Sequence, residues 1–214
     1  VDQGEGQRQR GTRSQQTRKR LRAAAHRLFL RQGYLATSID AILAEAGIAS
    51  KETLYRHYAN KEALFVDVLR SLTMEQPGFA ERLALLPPPH DLPSLRRALT
   101  QLAREILAMM TQSDYLPLVR MIIAEAPRFP QLGSLFVSTV TQRGLAILTA
   151  LLRQACEDQT IADVDVDVVA HMLLGGLLAF VLPRLLLSEA GTSLPPSLDR
   201  ADAVVEVIMR ALAP

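Results

Sequence analysis

Thr37-Ser38-Ile39-Asp40-Ala41-Ile42-Leu43-Ala44-Glu45-Ala46-Gly47-Ile48-Ala49-Ser50-Lys51-Glu52-Thr53-Leu54-Tyr55-Arg56-His57-Tyr58 is the stretch on which the reading of this chain turns. Thr37 to Asp40 has the form of a capping box, and Ile39, Ile42, Leu43 and Ala46 recur at helical spacing, so a short helix is expected there. Gly47-Ile48-Ala49 breaks it. A second short helix is expected over Lys51 to Tyr58, anchored by Leu54 and Tyr58. Two short helices joined by a tight glycine turn form a helix-turn-helix, whose second helix can lie in the major groove of a duplex.

A helical wheel sharpens this. At about 100° per residue, with Leu54 at 0° and Tyr58 near about 40°, Glu52 falls near about 160° and Arg56 near about 200°, opposite the buried direction. Glu52, Thr53, Tyr55 and Arg56 then face outward, with Lys51 projecting from the first turn. Arg can fork onto guanine O6 and N7, Thr can meet a thymine methyl or a base edge, and Glu can accept from cytosine N4. Tyr55, His57 and Lys61 suit phosphate oxygens. The hydroxyls of Thr37 and Ser38, beside the free N–H groups that open a helix, offer a second phosphate clamp. The competing expectation is that Thr37 and Ser50 only cap, and that Glu52 and Arg56 pair with each other on a solvated face.

Upstream, Leu21, Ala24, Ala25, Leu28 and Phe29 predict a helix from Thr17 that ends at Gly33. Residues 1–16 are Gln, Arg, Gly and Ser with almost nothing apolar, so a mobile basic arm is expected. Nine Lys or Arg residues and no acid lie between Arg8 and Arg31, and residues 1–61 carry 12 basic against 5 acidic residues. The remainder carries 12 against 17, and this imbalance suits a polyanionic partner for the N-terminal part.

Downstream, Asn60 caps a helix bearing Leu64, Phe65, Val68, Leu69 and Leu72. Pro77-Gly78 and Pro87-Pro88-Pro89 mark a connecting loop. Apolar-periodic segments follow at roughly 94–112, 115–126, 131–157, 165–187 and 198–212. No stretch alternates as a strand would. The fold class expected is all-α. The domains expected are an arm (1–16), a helix-turn-helix domain (17–62) and a larger helical domain (63–214).

The quoted stretch, with Leu28-Phe29, Gly33-Tyr34 and Asn60-Lys61-Glu62-Ala63-Leu64-Phe65, resembles the DNA-binding domain of the TetR family of transcriptional regulators over about 50 residues. The family pattern T-L-Y-x-H-[FY]-x-x-K-E-x-L is matched from Thr53 to Leu64. The resemblance implies phosphate contacts for Tyr55, His57 and Lys61, and base-edge or nearby contacts for Lys51, Glu52 and Thr53. The turn departs from the family's A-G-V-S run by one extra residue, which leaves Ala49 and Ser50 as alternative caps of the recognition helix. Further on, Glu125-Ala126-Pro127-Arg128-Phe129-Pro130 with Leu135-Phe136 is similar to a C-terminal domain type found in some members. That likeness implies a homodimer through the last two helices and a small-molecule pocket in the larger domain.

The residues themselves agree with a dimer, because a single short helix contacts too few bases and two half-sites need two copies. Apolar residues nearly encircle the segment 165–187. A pocket for a small apolar or amphipathic effector is expected from Met109, Arg120, Met121, Phe136, His171, Met172 and Phe180, thioethers being adaptable linings.

The apolar run Val168 to Pro183, about 16 residues interrupted by His171, falls short of the roughly 20 needed to span a bilayer. It is expected to be a core helix, with no membrane partner. One cysteine, Cys156, excludes an internal disulfide and a thiolate zinc site, and nothing in the first twenty residues resembles a secretory signal. A cytoplasmic location is expected. The four histidines (His26, His57, His90, His171) are dispersed without metal-ligand spacing, so neither metal, cofactor nor catalysis is expected. The function expected is a DNA-binding transcriptional repressor released from its operator by a ligand. An activator or architectural binder without a pocket is the alternative, and a helical enzyme the remote one.

Overall fold

A computed structural model describes residues 3–73, 89–187 and 195–212, and all regular structure among them is helical. The helices are α1 (Gln3–Gln32), α2 (Ile39–Ala46), α3 (Lys51–Tyr55), α4 (Lys61–Leu72), α5 (Leu92–Met110), α6 (Tyr115–Glu125), α7 (Pro130–Phe136), α8 (Gln142–Glu157), α9 (Val166–Leu186) and α10 (Asp199–Leu212). A π-helical turn, Val137–Thr141, joins α7 to α8. The loop expected at Pro77-Gly78 and Pro87-Pro88 lies outside the described residues.

Local chemistry sets the boundaries. Ser38 caps α2 by accepting from the Ala41 amide at 3.1 Å, and Asn60 caps α4 by accepting from Ala63 at 2.8 Å. Gly47, at φ 63°, closes α2, and the Ile48 amide reaches back to the Leu43 carbonyl at 2.9 Å. That six-to-one bond needs a left-handed residue at the glycine's position. Ser50 is the N-cap of α3, without a side-chain hydrogen bond, which decides between the two alternatives for that turn.

The expected arm is not separate from α1. The helix runs unbroken from Gln3, because the stretch lacks proline and each added residue extends a helix already nucleated by the packed turn at Leu21.

Two apolar cores form. One holds Leu21, Phe29, Tyr34, Ile42, Leu54, Phe65 and Val68. Helix α4 therefore packs as part of the N-terminal head, and a boundary at residue 62 cuts through this core. Leu118 and Ile122 of α6, Leu132 of α7 and Val140 of the π turn enter the same core, binding the head to the larger domain. The second core joins α5, α8, α9 and α10 around Leu99, Leu107, Leu152, Leu173 and Val205.

Helix α9 departs from the expected core helix. Ala170, Leu173, Leu177 and Val181 are buried, whereas Val168, Met172, Leu178, Phe180, Leu182 and Leu186 are exposed. By length and composition α9 and the continuous run Pro130–Glu157 could each cross a bilayer. Yet α9 keeps one full stripe inside a helical core, so its other face is an uncovered apolar surface on a packed body.

Candidate nucleic-acid interface and adjoining cavity

The geometry of α3 follows from one anchor. Leu54 is completely buried and Tyr58 nearly so, which turns the opposite flank outward. Lys51, Glu52, Tyr55 and Arg56 are exposed and Thr53 is half-buried. Tyr55, at 52% exposure, is one of the few large apolar rings of the head left in solvent. Among the described residues Glu52 and Arg56 form no ion pair with each other, so the self-satisfied surface pair is not what the fold builds. Lys51 Nζ meets Asp40 at 2.8 Å across the turn, with both groups exposed. Such a pair is weak and displaceable.

Tyr58 is held by a polar contact beneath the helix. Its hydroxyl donates to Asp67 of α4 at 2.6 Å, and Arg18 of α1 donates to the same carboxylate at 2.5 Å. Asp67 is buried, and burial together with the bond to Asp67 pushes the Tyr58 phenol well above its ordinary value. The spacing gave a sign of this, an acid set within the apolar stripe Leu64, Phe65, Val68 and Leu69, which the sequence reading missed.

Three residues expected at phosphates are turned at least partly into the head. Thr37 is buried, and its hydroxyl donates to the Gly33 carbonyl at 2.6 Å, so it closes the α1–α2 corner and offers no clamp. Ser38 stays exposed while it caps α2. Lys61 Nζ donates to the carbonyls of Tyr34 at 2.8 Å and Thr37 at 2.9 Å and sits 4.2 Å from the Tyr34 ring centroid. A side chain that opens α4 beside the carbonyls of this corner is drawn inward by them. His57 has Nε2 buried without a partner, and desolvation, then Arg56 and Arg18, lower its pKa. One ring nitrogen is turned in.

The basic run along α1 is likewise partly engaged within the head. Arg20 donates to the carbonyls of Ala46 at 2.6 Å and Gly47 at 2.9 Å, capping the C-terminus of α2, and Arg27 and Arg31 meet Glu45.

Beside the head lies a cavity of about 270 Å³. Met109 and Met110 of α5, Tyr115 and Val119 of α6, Phe136 of α7 and Leu174 of α9 are among its walls. Among the described residues no charged one lines it, and burial pushes the Tyr115 phenol up to about 12. Of the expected pocket residues, Met109 and Phe136 are there. The other five are elsewhere. Arg120 donates to the carbonyls of Leu185, at 2.8 Å, and Arg184, capping the end of α9. Met121 packs against the head's core. His171, Met172 and Phe180 are exposed on α9, off the buried stripe formed by Ala170, Leu173, Leu177 and Val181. His171 Nδ1 is 2.7 Å from the Asp167 carbonyl, and Phe180 lies under the Arg200 guanidinium at 5.4 Å. Met110, a further methionine that thioether adaptability marks out, is a wall too, whereas Tyr115 and Val119 were not foreseen, since periodicity marks them only as apolar.

Known proteins share these features. Residues 21–68 match the N-terminal domain of bacterial regulatory proteins of the TetR family, and residues 97–214 match the C-terminal domain of AefR-like transcriptional repressors. No curated protein sequence matches the chain. A TetR-family transcriptional regulator from Mesorhizobium loti is similar at 28% identity and TM-score 0.72, over 94% of this chain and 99% of that one. The flavonoid-responsive regulator FrrA is similar at 28% identity and TM-score 0.68, over 92% and 97%. TylP of Streptomyces fradiae, a TetR regulator, is similar at 26% and TM-score 0.61, over 94% and 89%. An outward-facing α3 on a head of this architecture, followed by a C-terminal domain matched over more than half the chain, leads to one assignment: the chain belongs to the TetR family and is a DNA-binding transcriptional regulator, not an enzyme.

Proposed function

We propose that this regulator is a cytoplasmic homodimeric repressor, released from its operator by an uncharged apolar or amphipathic small molecule. Lys51, Glu52, Thr53 and Arg56 read or approach base edges, and Ser38 and Tyr55 meet phosphates. Two copies pair through α9 and α10, whose exposed Met172, Leu182, Leu186 and Val207 would otherwise remain in water. The observation that carries the reading is the apolar cavity whose wall, α6, also enters the core of the head through Ile122. A molecule filling that cavity acts on a helix packed against the DNA-binding domain. Its volume is about 1.8 times the roughly 150 Å³ that accommodates benzene, which suits two rings or a chain of similar bulk. A charged group would be desolvated there without a partner. The flavonoid response of FrrA fits an aromatic effector of this kind.

The test is fluorescence anisotropy on duplexes recovered by selection from random DNA. Wild type is expected to prefer one palindromic sequence with strong salt dependence, and Arg56→Ala to lose about 1–3 kcal/mol of that preference. Sequence-blind binding by the wild type would reject the reading. Sedimentation at micromolar concentration should give twice the 23.6 kDa chain mass, and a monomer would remove the dimer.

A further inference from the structure

Glu125, at the C-terminal end of α6, crosses from the cavity-bearing domain to the head. Its Oε2 accepts from the Leu35 amide at 2.9 Å. Its Oε1 lies so close to Gly33 that a Cβ built there would collide with it. Gly33 also has φ 85°, so the α1–α2 corner favours glycine for its backbone, and a Cβ added there would push the Glu125 carboxylate aside. The same corner is held from the other side by Lys61 of α4, and Phe129, just beyond Glu125, stacks on Tyr34 with centroids 5.6 Å apart. Ile122, one helical turn before Glu125, lines the cavity. Ser38, three residues after Leu35, caps α2. The route from cavity wall to helix-turn-helix is therefore short and continuous.

We infer that Glu125 is a positioning residue for operator binding: it ties the cavity-bearing domain to the α1–α2 corner and sets the attitude of the helix-turn-helix without touching DNA. This rests on the operator-binding reading above. A dimer must hold both heads in register at once. If each untied head is competent about a third of the time, the operator affinity falls about ninefold. Binding through phosphates alone needs no such register, so affinity for unrelated DNA should stay level.

The experiment measures the full-length protein on the selected duplex and on a scrambled duplex of the same composition. Glu125→Ala is expected to weaken the operator about tenfold, leave the scrambled duplex within twofold, and speed hydrogen exchange at the Leu35 amide at least tenfold. Glu125→Gln keeps a carbonyl acceptor for Leu35 and should stay within threefold of wild type on both duplexes. Gly33→Ala attacks the same contact from the opposite side and should reproduce the split between duplexes, which keeps the test open should Glu125→Ala fold poorly. Operator affinity within twofold of wild type in both variants overturns the inference, as does an equal loss on both duplexes, the mark of a merely structural role. If the wild type prefers no sequence, the operator reading fails by itself, and the tie is judged by Leu35 exchange, an unchanged rate refuting it.

Discussion

Asp67 shows how much one residue can hold. Its buried carboxylate accepts from Tyr58, which follows α3, and from Arg18 of α1, and so fixes the end of the recognition helix against two neighbours. Asp67→Ala leaves the Tyr58 hydroxyl without its acceptor and should cost about 2–4 kcal/mol in urea unfolding. Tyr34 is the opposite case. Its hydroxyl is buried without a hydrogen-bond partner among the described residues, while its ring packs against Phe29, Phe65 and Phe129. Tyr34→Phe keeps the ring contacts and removes the orphan oxygen, so its unfolding midpoint should hold or rise, by up to about 1 kcal/mol of stability. A clear loss would mean that the hydroxyl has a role this arrangement does not reveal. These two residues also mark a limit of reading from sequence. The outward set on α3 was legible because Leu54 and Tyr58 together fix a wheel, whereas Lys61 and Thr37 turn inward toward carbonyls of the corner that only the folded chain brings near.

Helix boundaries in the larger domain were legible to within about two residues, because stripes such as Leu95, Leu99, Leu102 and Ile106 announce themselves and proline or aspartate marks the breaks. The N-terminal turns of α1 and the π turn at Val137–Thr141 were not. Neither carries an apolar signature of its own, one being an extension of a packed helix and the other an insertion within one. The contact of α1 with the start of α6 was equally hidden, and it carries a pH dependence. His26 of α1 faces Asp114 at 3.8 Å, with Arg27 adjacent on its own helix; burial lowers its pKa most, Asp114 raises it and Arg27 lowers it. A histidine depressed in the folded state is taken up by protons first in the unfolded chain, whose value is near about 6.5. Stability is therefore full above that pH and falls as the pH drops below it, until His26 itself titrates. The thermal midpoint of the wild type should decline between about pH 7 and pH 5, and His26→Gln should flatten that decline; an unchanged slope would assign the acid sensitivity to other groups.

At the scale of the whole molecule, two bodies share one wall. Helix α6 and the π turn give Ile122 and Val140 to both the head's core and the cavity lining, so the size of the cavity and the seating of the head are not independent. The proposed pairing of two copies would draw on the uncovered apolar face of α9 and α10. If the cavity is what permits release, filling it from within should preserve DNA binding and abolish the response. Gly144 offers the means. It lines the cavity, and a Cβ placed on it meets nothing within 4 Å. It also sits inside α8, where replacing glycine adds about 0.5–1 kcal/mol of helix stability. Gly144→Leu should raise the thermal midpoint, bind the selected duplex as wild type does, and resist release by any neutral aromatic compound found to dissociate the wild type. A variant that loses the operator would show that the cavity must stay open for DNA binding, and one that still responds would move the effector to another site.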